Sequence, residues 1–143
     1  MELGIDQALA HGLRQYVEQT VEALALTGRP YCLDVAHPMN AYVALNARLP
    51  NFPDCDTALL WDERYGWAGA LETDTSSQLT VLSYCGSALL PRPATVAQFA
   101  HEFLAGLVSP STASPVFSID DRDQLTTGLI SYSLLTPVGA ALP

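Results

Sequence analysis

Residues 57–73 read TALLWDERYGWAGALET, and this stretch decides the fold that we expect. Two alternating, largely apolar runs flank a central DERYG turn, and Trp61 and Trp67 lie on either side of it. A short polar turn that ends in glycine, which adopts positive φ readily, is typical of a bulged hairpin loop. The stretch therefore predicts a β-hairpin in which a pair of large aromatic side chains fixes the strand register.

Further strand patterns lie on both sides of this hairpin. Residues 31–36 and 41–49 precede it, and residues 78–84 follow it. Short connections rich in turn residues separate these segments, as in sheets built from successive hairpins. The pattern predicts one antiparallel sheet of about five strands in meander order.

Helical patterns begin and end this strand region. In residues 5–26, apolar side chains recur every third or fourth position, and Gly28 and Pro30 end the pattern. A second apolar stripe covers residues 94–107, after a proline-led LLPRP segment. The predicted class is α+β, with both helices packed on the sheet.

The C-terminal region departs from this pattern. We predict a single α+β domain over residues 1–107 and an extension over residues 108–143 that either covers the sheet or is partly disordered. Asp120 and its acidic neighbours favour a helix start, whereas Thr126 and Thr127 favour a strand. Helix and strand both stay open for this extension.

The composition argues against several classes of protein. Of the 143 residues, 49% are hydrophobic and 15% are charged, which is typical of a folded domain rather than a disordered chain. The formal net charge of −9 argues against a nucleic-acid binder or an anionic-membrane binder, because no basic patch can neutralise phosphates. No apolar run approaches the about 20 residues that span a bilayer.

The N-terminal sequence and the cysteines lead to an expected compartment. The first ten residues, MELGIDQALA, lack the positive start and the apolar run of a secretory signal. Cys32, Cys55 and Cys85 are odd in number and form no C-x-x-C pair, so we interpret them as reduced thiols. These features predict a cytoplasmic protein.

Four motifs carry a resemblance to a known family. They are LPNFPD at 49–54, LLWDERYGWA at 59–68, VLSYCG at 81–86 and LLPRP at 89–93. From the first helix to about residue 107, the chain resembles an actinobacterial family of small proteins of unknown function. The resemblance implies a single domain and assigns no catalytic residue.

The histidines and cysteines form no catalytic pattern. His11 and His101 lie on the polar faces of the predicted helices, where exposed histidines are the default. His37 precedes Pro38 in a loop at a strand end, and because such loops often carry functional groups, it is the candidate histidine. Cys85 ends a predicted strand without a G-x-S-x-G motif, and we interpret it as a half-buried apolar residue.

Acidic residues are grouped, but in places where turn chemistry explains them. Calcium or magnesium favours such oxygen ligands, yet Asp is also common in turns because it bonds to backbone N–H groups. The calcium-loop motif, a zinc spacing and a glycine-rich phosphate loop are all absent from the sequence. We expect no metal and no cofactor. The groups are Asp54 with Asp56, Asp62 with Glu63, Glu72 with Asp74, and Asp120, Asp121 and Asp123.

Alternation along the strands predicts an unusually apolar second sheet face. We expect the helix-covered face to carry Val43, Leu45, Leu59, Trp61 and Val81, and the opposite face to carry Tyr42, Ala44, Leu60, Ala68, Ala70, Leu82 and Tyr84. A sheet face left to solvent normally alternates cleanly with polar residues, so an apolar one predicts a partner, self-association or a covering element. The candidate binding residues are Tyr42, Leu60, Leu82, Tyr84 and His37.

These observations favour a non-catalytic binding or accessory protein, of the adaptor or chaperone-like kind and homodimeric through the open sheet face. The alternative is a small ligand-binding protein or biosynthetic enzyme, with a pocket between sheet and helices. Its candidate polar groups are Asp34, His37, Tyr42 and Tyr84. The acidity is also compatible with a regulatory partner of a DNA-binding protein, although no residue supports that role.

Overall fold

The computed structural model describes residues 4–28, 30–72, 78–108 and 113–135. Within this part of the chain, three helices and five strands follow one another in an α+β order. The helices are α1 (Ile5–Ala23), α2 (Pro93–Leu104) and α3 (Ile119–Ser133), and the strands are β1 (Tyr31–Asp34), β2 (Asn40–Ala44), β3 (Asp56–Asp62), β4 (Gly66–Glu72) and β5 (Leu79–Tyr84). None of the described helices has the length and apolarity needed to cross a membrane.

The strands form one antiparallel sheet in the order β1-β2-β3-β4-β5, which confirms the predicted meander. The central hairpin, β3–β4, pairs Trp61 with Trp67 and Asp62 with Gly66. Gly66 has φ 74°, and the Asp62 carboxylate accepts a hydrogen bond from the Arg64 backbone N–H at 2.7 Å. The polar turn and its glycine therefore close the hairpin in the predicted way.

One face of the sheet, the inner face, packs against α1 and α2. Tyr16 of α1 lies with its ring centroid 6.1 Å from that of Trp67. Phe103 of α2 lies over Gly69, so close that a Cβ at this glycine would come within 2.7 Å of the phenyl ring. The glycine in the middle of β4 thus makes room for an aromatic ring of α2.

Both tryptophans also anchor the connection between β5 and α2. The indole N–H of Trp61 donates to the Leu89 carbonyl at 2.7 Å. That of Trp67 donates to the Tyr16 hydroxyl at 2.9 Å, and this hydroxyl in turn donates to the Pro91 carbonyl. All three aromatic side chains are fully buried, so these bonds satisfy polar atoms that water does not reach.

The predicted element ends differ from the observed ones where the backbone turns left-handed. The helix predicted over residues 5–26 ends at Ala23, and Ala25 has φ 58°. The strand predicted over residues 41–49 ends at Ala44, and Asn46 has φ 56°. Neither a helix nor a strand continues through such a residue, and alternation alone did not reveal it.

Within the described part of the C-terminal extension, residues 119–133 form the helix α3. Ser118 and Asp121 form a reciprocal capping box at the start of α3, and this cap favours helix over the strand that the threonines suggested. The helix packs on α1, with Leu125 and Leu129 in the common core. Gly12 of α1 allows this close approach, since a Cβ there would lie 1.9 Å from the Leu129 carbonyl oxygen. Residues 109–112 and 136–143 of the extension lie outside the described residues.

Candidate functional site

The candidate site is on the outer face, the side of the sheet turned away from α1 and α2. Its middle is made of small and apolar side chains. Ala58 and Ala70 are neighbours in this middle and are both 0% exposed. The larger apolar groups around them make a groove of about 310 Å³, whose lining includes Tyr42, Leu60, Tyr65, Ala68, Val81 and Tyr84. The prediction of an apolar second face is confirmed.

Tyr42 is held in place at one side of the groove. Its hydroxyl donates to the Glu72 carboxylate at 3.0 Å, which requires the side chain to lean across β3 from β2 to β4. Partial burial, together with the negative charge of Glu72, raises the pKa of Tyr42 to about 12. The phenol is therefore neutral at physiological pH and acts as a hydrogen-bond donor rather than as a base.

Two further tyrosines lie together at the other side. The ring centroids of Tyr65 and Tyr84 are 6.4 Å apart with an interplanar angle of 66°, an edge-to-face contact. The Arg64 guanidinium lies 5.0 Å from the Tyr65 ring centroid and forms an ion pair with Asp62 at 2.9 Å. The groove thus has aromatic walls and a charged margin.

Three of the five predicted binding residues meet in this groove, and two, Leu82 and His37, do not. Tyr42, Leu60 and Tyr84 all line it. Leu82 lies elsewhere: it lines a second cavity of about 330 Å³ near Phe103, between the 49–52 loop and the end of α2. The face predicted for Leu82 is therefore wrong.

A β-bulge causes this difference. Gly69 pairs with Ser83, but its neighbour Ala70 pairs with Val81, so Leu82 is the extra residue of β5. Alternation reverses on the far side of a bulge, which turns Val81 outward and Leu82 inward. The alternation of an unbroken strand therefore predicts the wrong face for each of these two residues. Tyr65 is not among the predicted site residues, and its only signal in the sequence is an aromatic residue within the hairpin turn.

Residues 16–102 match the family described as Family of unknown function (DUF6292). The chain belongs to DUF6292. This confirms the resemblance to a family of unknown function, and the match covers the last eight residues of α1, the whole sheet and most of α2. No curated protein and no solved structure matches the chain.

The DUF6292 match also includes His37, which the structure places outside the groove. Its ring Nδ1 lies 2.9 Å from a Glu63 carboxylate oxygen, and its Nε2 lies 3.2 Å from an Asp6 carboxylate oxygen. Hydrogen bonding to Glu63 and then to Asp6 raises the pKa of His37 above its ordinary value. Glu63 also accepts a bond from the Met39 backbone N–H at 2.6 Å. His37 therefore joins the β1–β2 loop to the hairpin turn and to α1.

The other candidate groups of the DUF6292 region do not join the groove either. Asp34 accepts a hydrogen bond from the Ala36 backbone N–H at 3.0 Å, and His101 is exposed on α2. Cys85 is half-buried, with its sulfur 3.6 Å from the Ser87 hydroxyl. Among the residues that the structure describes, no group of three or more His, Cys, Asp or Glu side chains could hold a metal ion. His11, which precedes the match, is exposed on α1.

Proposed function

We propose that this protein is a non-catalytic binding protein of the accessory or adaptor kind, and that a polypeptide partner docks on its outer sheet face. The observation that carries the proposal is the apolar groove of about 310 Å³ on this face. Helix α3 supports it as well, because it packs on α1 and so lies on the inner side. In the segment before α3, Ser114 reaches the edge of the outer face, where its hydroxyl lies 3.5 Å from that of Tyr84. An apolar sheet face that is left open marks an interaction surface.

The shape of the groove favours a polypeptide over a compact molecule. Its lining comes from four neighbouring strands, β2 to β5, and from the hairpin turn. Most of these positions are apolar or aromatic, which is typical of the central part of a protein interface. Tyr42 and Tyr84 add hydroxyl groups that can bond to a partner's backbone.

The polar groups near the sheet are engaged in structural contacts. Both ring nitrogens of His37 contact carboxylates, which leaves neither nitrogen free to act as a general base toward a substrate. Burial raises the pKa of Tyr16, whose hydroxyl is part of the core network. These contacts support a binding role rather than a catalytic one.

Site-specific photo-crosslinking in the host cell tests the proposal. A benzoylphenylalanine at Tyr84, in the groove, is compared with one at Tyr31, which is also half-buried but bonds to Glu18 of α1. We expect a protein adduct of defined mass from position 84 only, and we expect its loss when Leu60→Gln is added. Equal adducts at both positions, or no adduct at position 84, contradict docking on the outer face.

The alternative of a small-ligand binder has one observation in its favour. Two of its four candidate polar groups, Tyr42 and Tyr84, line the same groove, although this groove lies on the outer face and not between sheet and helices as predicted. The volume of the groove reaches the lower end of the about 300–1,000 Å³ that is usual for ligand pockets. Native mass spectrometry of the freshly purified protein tests this alternative. A bound small molecule that is lost in Leu60→Gln supports it, and a spectrum of the bare chain contradicts it.

A further inference from the structure

We propose that the partner segment carries apolar side chains flanked at both ends by arginine or lysine. This inference rests on the proposed function, because it names the chemistry of the segment that occupies the outer face. It comes from the way in which the strand register orders charged and apolar residues on that face.

The charges of the outer face fall into two rows at opposite ends of the strands. Asp34, Asn40 and Asp62 are paired neighbours across β1, β2 and β3. Asp56 and Glu72 are paired neighbours across β3 and β4 at the other end. The five strands contain no Lys, Arg or His, so every charged side chain that they carry is a carboxylate.

Apolar rows fill the space between the two acidic rows. One runs across the sheet through Tyr42, Leu60, Ala68 and Tyr84, and the next runs through Ala44, Ala58, Ala70 and Val81. Ala58, Ala68 and Ala70 are buried, so the larger side chains around them supply most of the accessible apolar surface. The outer face is therefore an apolar band with a negative margin at each end. A partner that matches it has an apolar middle and positive ends, because complementary charge steers association and selects the partner.

The spacing of the two margins sets the size of the segment. Asp56 and Asp62 are the two ends of β3, a strand of seven residues. At the usual rise along a strand, the acidic rows lie about 20 Å apart. This distance corresponds to about six residues of extended chain or about thirteen residues of helix.

Each margin keeps one carboxylate that no arginine neutralises. Arg64 pairs with Asp62 at 2.9 Å, and Arg48 pairs with Asp56 at 3.3 Å. Within the described part of the chain, Asp34 and Glu72 have no such ion pair; Asp34 accepts from a backbone N–H, and Glu72 accepts from Tyr42. Carboxylate oxygens accept several hydrogen bonds, so both groups can bind a partner cation as well.

Arg64 shows within this chain the contact that a partner cation would make. Its guanidinium forms the ion pair with Asp62 and also lies over the Tyr65 ring. Carboxylate and tyrosine next to each other bind a guanidinium by charge and by cation–π attraction. The margin of the groove is thus suited to arginine.

A second copy of this chain fits the face less well. In a twofold dimer the same patch meets itself, so two aligned outer faces would bring acidic margin against acidic margin. Like charges that face each other oppose association, and the net charge of −9 adds to this repulsion. The pattern therefore favours a basic partner over self-association.

Selection from a random peptide library tests the inference on the full-length protein. Peptides of about 15 residues are long enough to span the two margins as strand or helix. Binders are selected on the natural protein and counter-selected on Leu60→Gln, which makes the middle of the apolar band polar. We expect enriched peptides in which Arg or Lys flanks a run of aliphatic and aromatic residues.

Charge-neutralising variants then measure the contribution of the margins. For a selected peptide, Asp34→Asn combined with Glu72→Gln should weaken binding about fivefold, as expected for two ion pairs at an interface margin, and added salt should weaken it further. Asp120→Asn combined with Asp123→Asn removes the same charge from exposed positions of α3 and serves as the matched control, with unchanged affinity.

The possible outcomes separate this inference from the proposed function. Two results overturn the inference and still allow docking on the outer face. One is enrichment of apolar peptides without Arg or Lys at their ends, and the other is unchanged peptide affinity in the variant that lacks the charges of Asp34 and Glu72. If no selected peptide distinguishes the natural protein from Leu60→Gln, both the inference and the proposed function are overturned. A dimer in light scattering that dissociates in Leu60→Gln identifies a second copy as the occupant and also overturns the inference.

Discussion

The Trp67 indole N–H donates a hydrogen bond of 2.9 Å to the Tyr16 hydroxyl, and this bond joins the central hairpin to α1. Both side chains are 0% exposed. The Tyr16 hydroxyl itself donates a hydrogen bond to the Pro91 carbonyl, so one oxygen atom connects β4, α1 and the segment before α2. A buried polar group that serves three elements is costly to remove, because its partners then lack hydrogen bonds in a site without water.

We therefore expect Tyr16→Phe to lower the free energy of unfolding by about 1–3 kcal/mol, the usual cost of unsatisfied buried groups. Urea denaturation measures it. Tyr31→Phe is the matched control, since its hydroxyl bonds to Glu18 at a partly exposed site, and its effect should stay below about 1 kcal/mol. Equal losses of unfolding free energy in the two variants would show that the buried hydrogen bonds of Tyr16 stabilise the fold no more than the partly exposed bond of Tyr31 does.

Gly69 gives a second test of the core. Gly69→Ala places a Cβ within 2.7 Å of the Phe103 ring, and we expect overpacking to destabilise the fold by about 1–3 kcal/mol. Adding Phe103→Leu should recover part of this loss. Gly4→Ala, where a Cβ meets nothing within 4 Å, is the control. If the double variant is no more stable than the additive sum, the ring contact is not the cause.

The hairpin and the class of the fold were predictable because local chemistry determines them. The DERYG turn favours one backbone path, and Trp61 and Trp67 are large enough to fix the register of the strands beside it. The α1 stripe was predictable for a similar reason, as apolar residues at helical spacing must be covered. In these elements the local pattern and the global fold agree.

The candidate site was only partly predictable, since it depends on long-range pairing. Alternation within their own strands places Tyr42 and Leu60 on the outer face, where the structure has them. Val81 and Leu82 lie on the faces opposite to those predicted, because β5 has a bulge against β4. Tyr65 reaches the groove because the turn folds it next to Tyr84. Such contacts between residues distant in sequence leave no trace in local periodicity.

The contact of Gly12 with Leu129 leads to a prediction about α3. Gly12→Ala places a Cβ 1.9 Å from the Leu129 carbonyl oxygen, a backbone atom that moves only if α3 moves. We expect the variant to displace α3 from α1, which hydrogen exchange should show as faster exchange of residues 119–133 than of the sheet. Ala10→Ser, at a half-buried position of the same helix, is the control. Unchanged protection of α3 in Gly12→Ala would contradict this packing.

The contacts of His37 predict a dependence of stability on pH. A neutral imidazole donates through one nitrogen only, so its contacts with both Glu63 and Asp6 require the protonated form. These contacts raise the pKa of His37 above 6.5 in the folded state. The stability that these contacts contribute to the fold is therefore complete below about pH 6.5, and it is lost as the pH rises through the raised pKa of His37.

The expected size of this contribution is below about 1 kcal/mol, because the His37 side chain is 51% exposed and water screens the pair. NMR titration of the His37 ring measures the pKa directly, and urea denaturation on both sides of the transition measures the stability. Glu63→Gln should lower the pKa and flatten the pH dependence, whereas Asp123→Asn, on exposed α3, should change neither. A His37 pKa that Glu63→Gln leaves unchanged would falsify this account, and stability that rises with pH across the titration would contradict its sign.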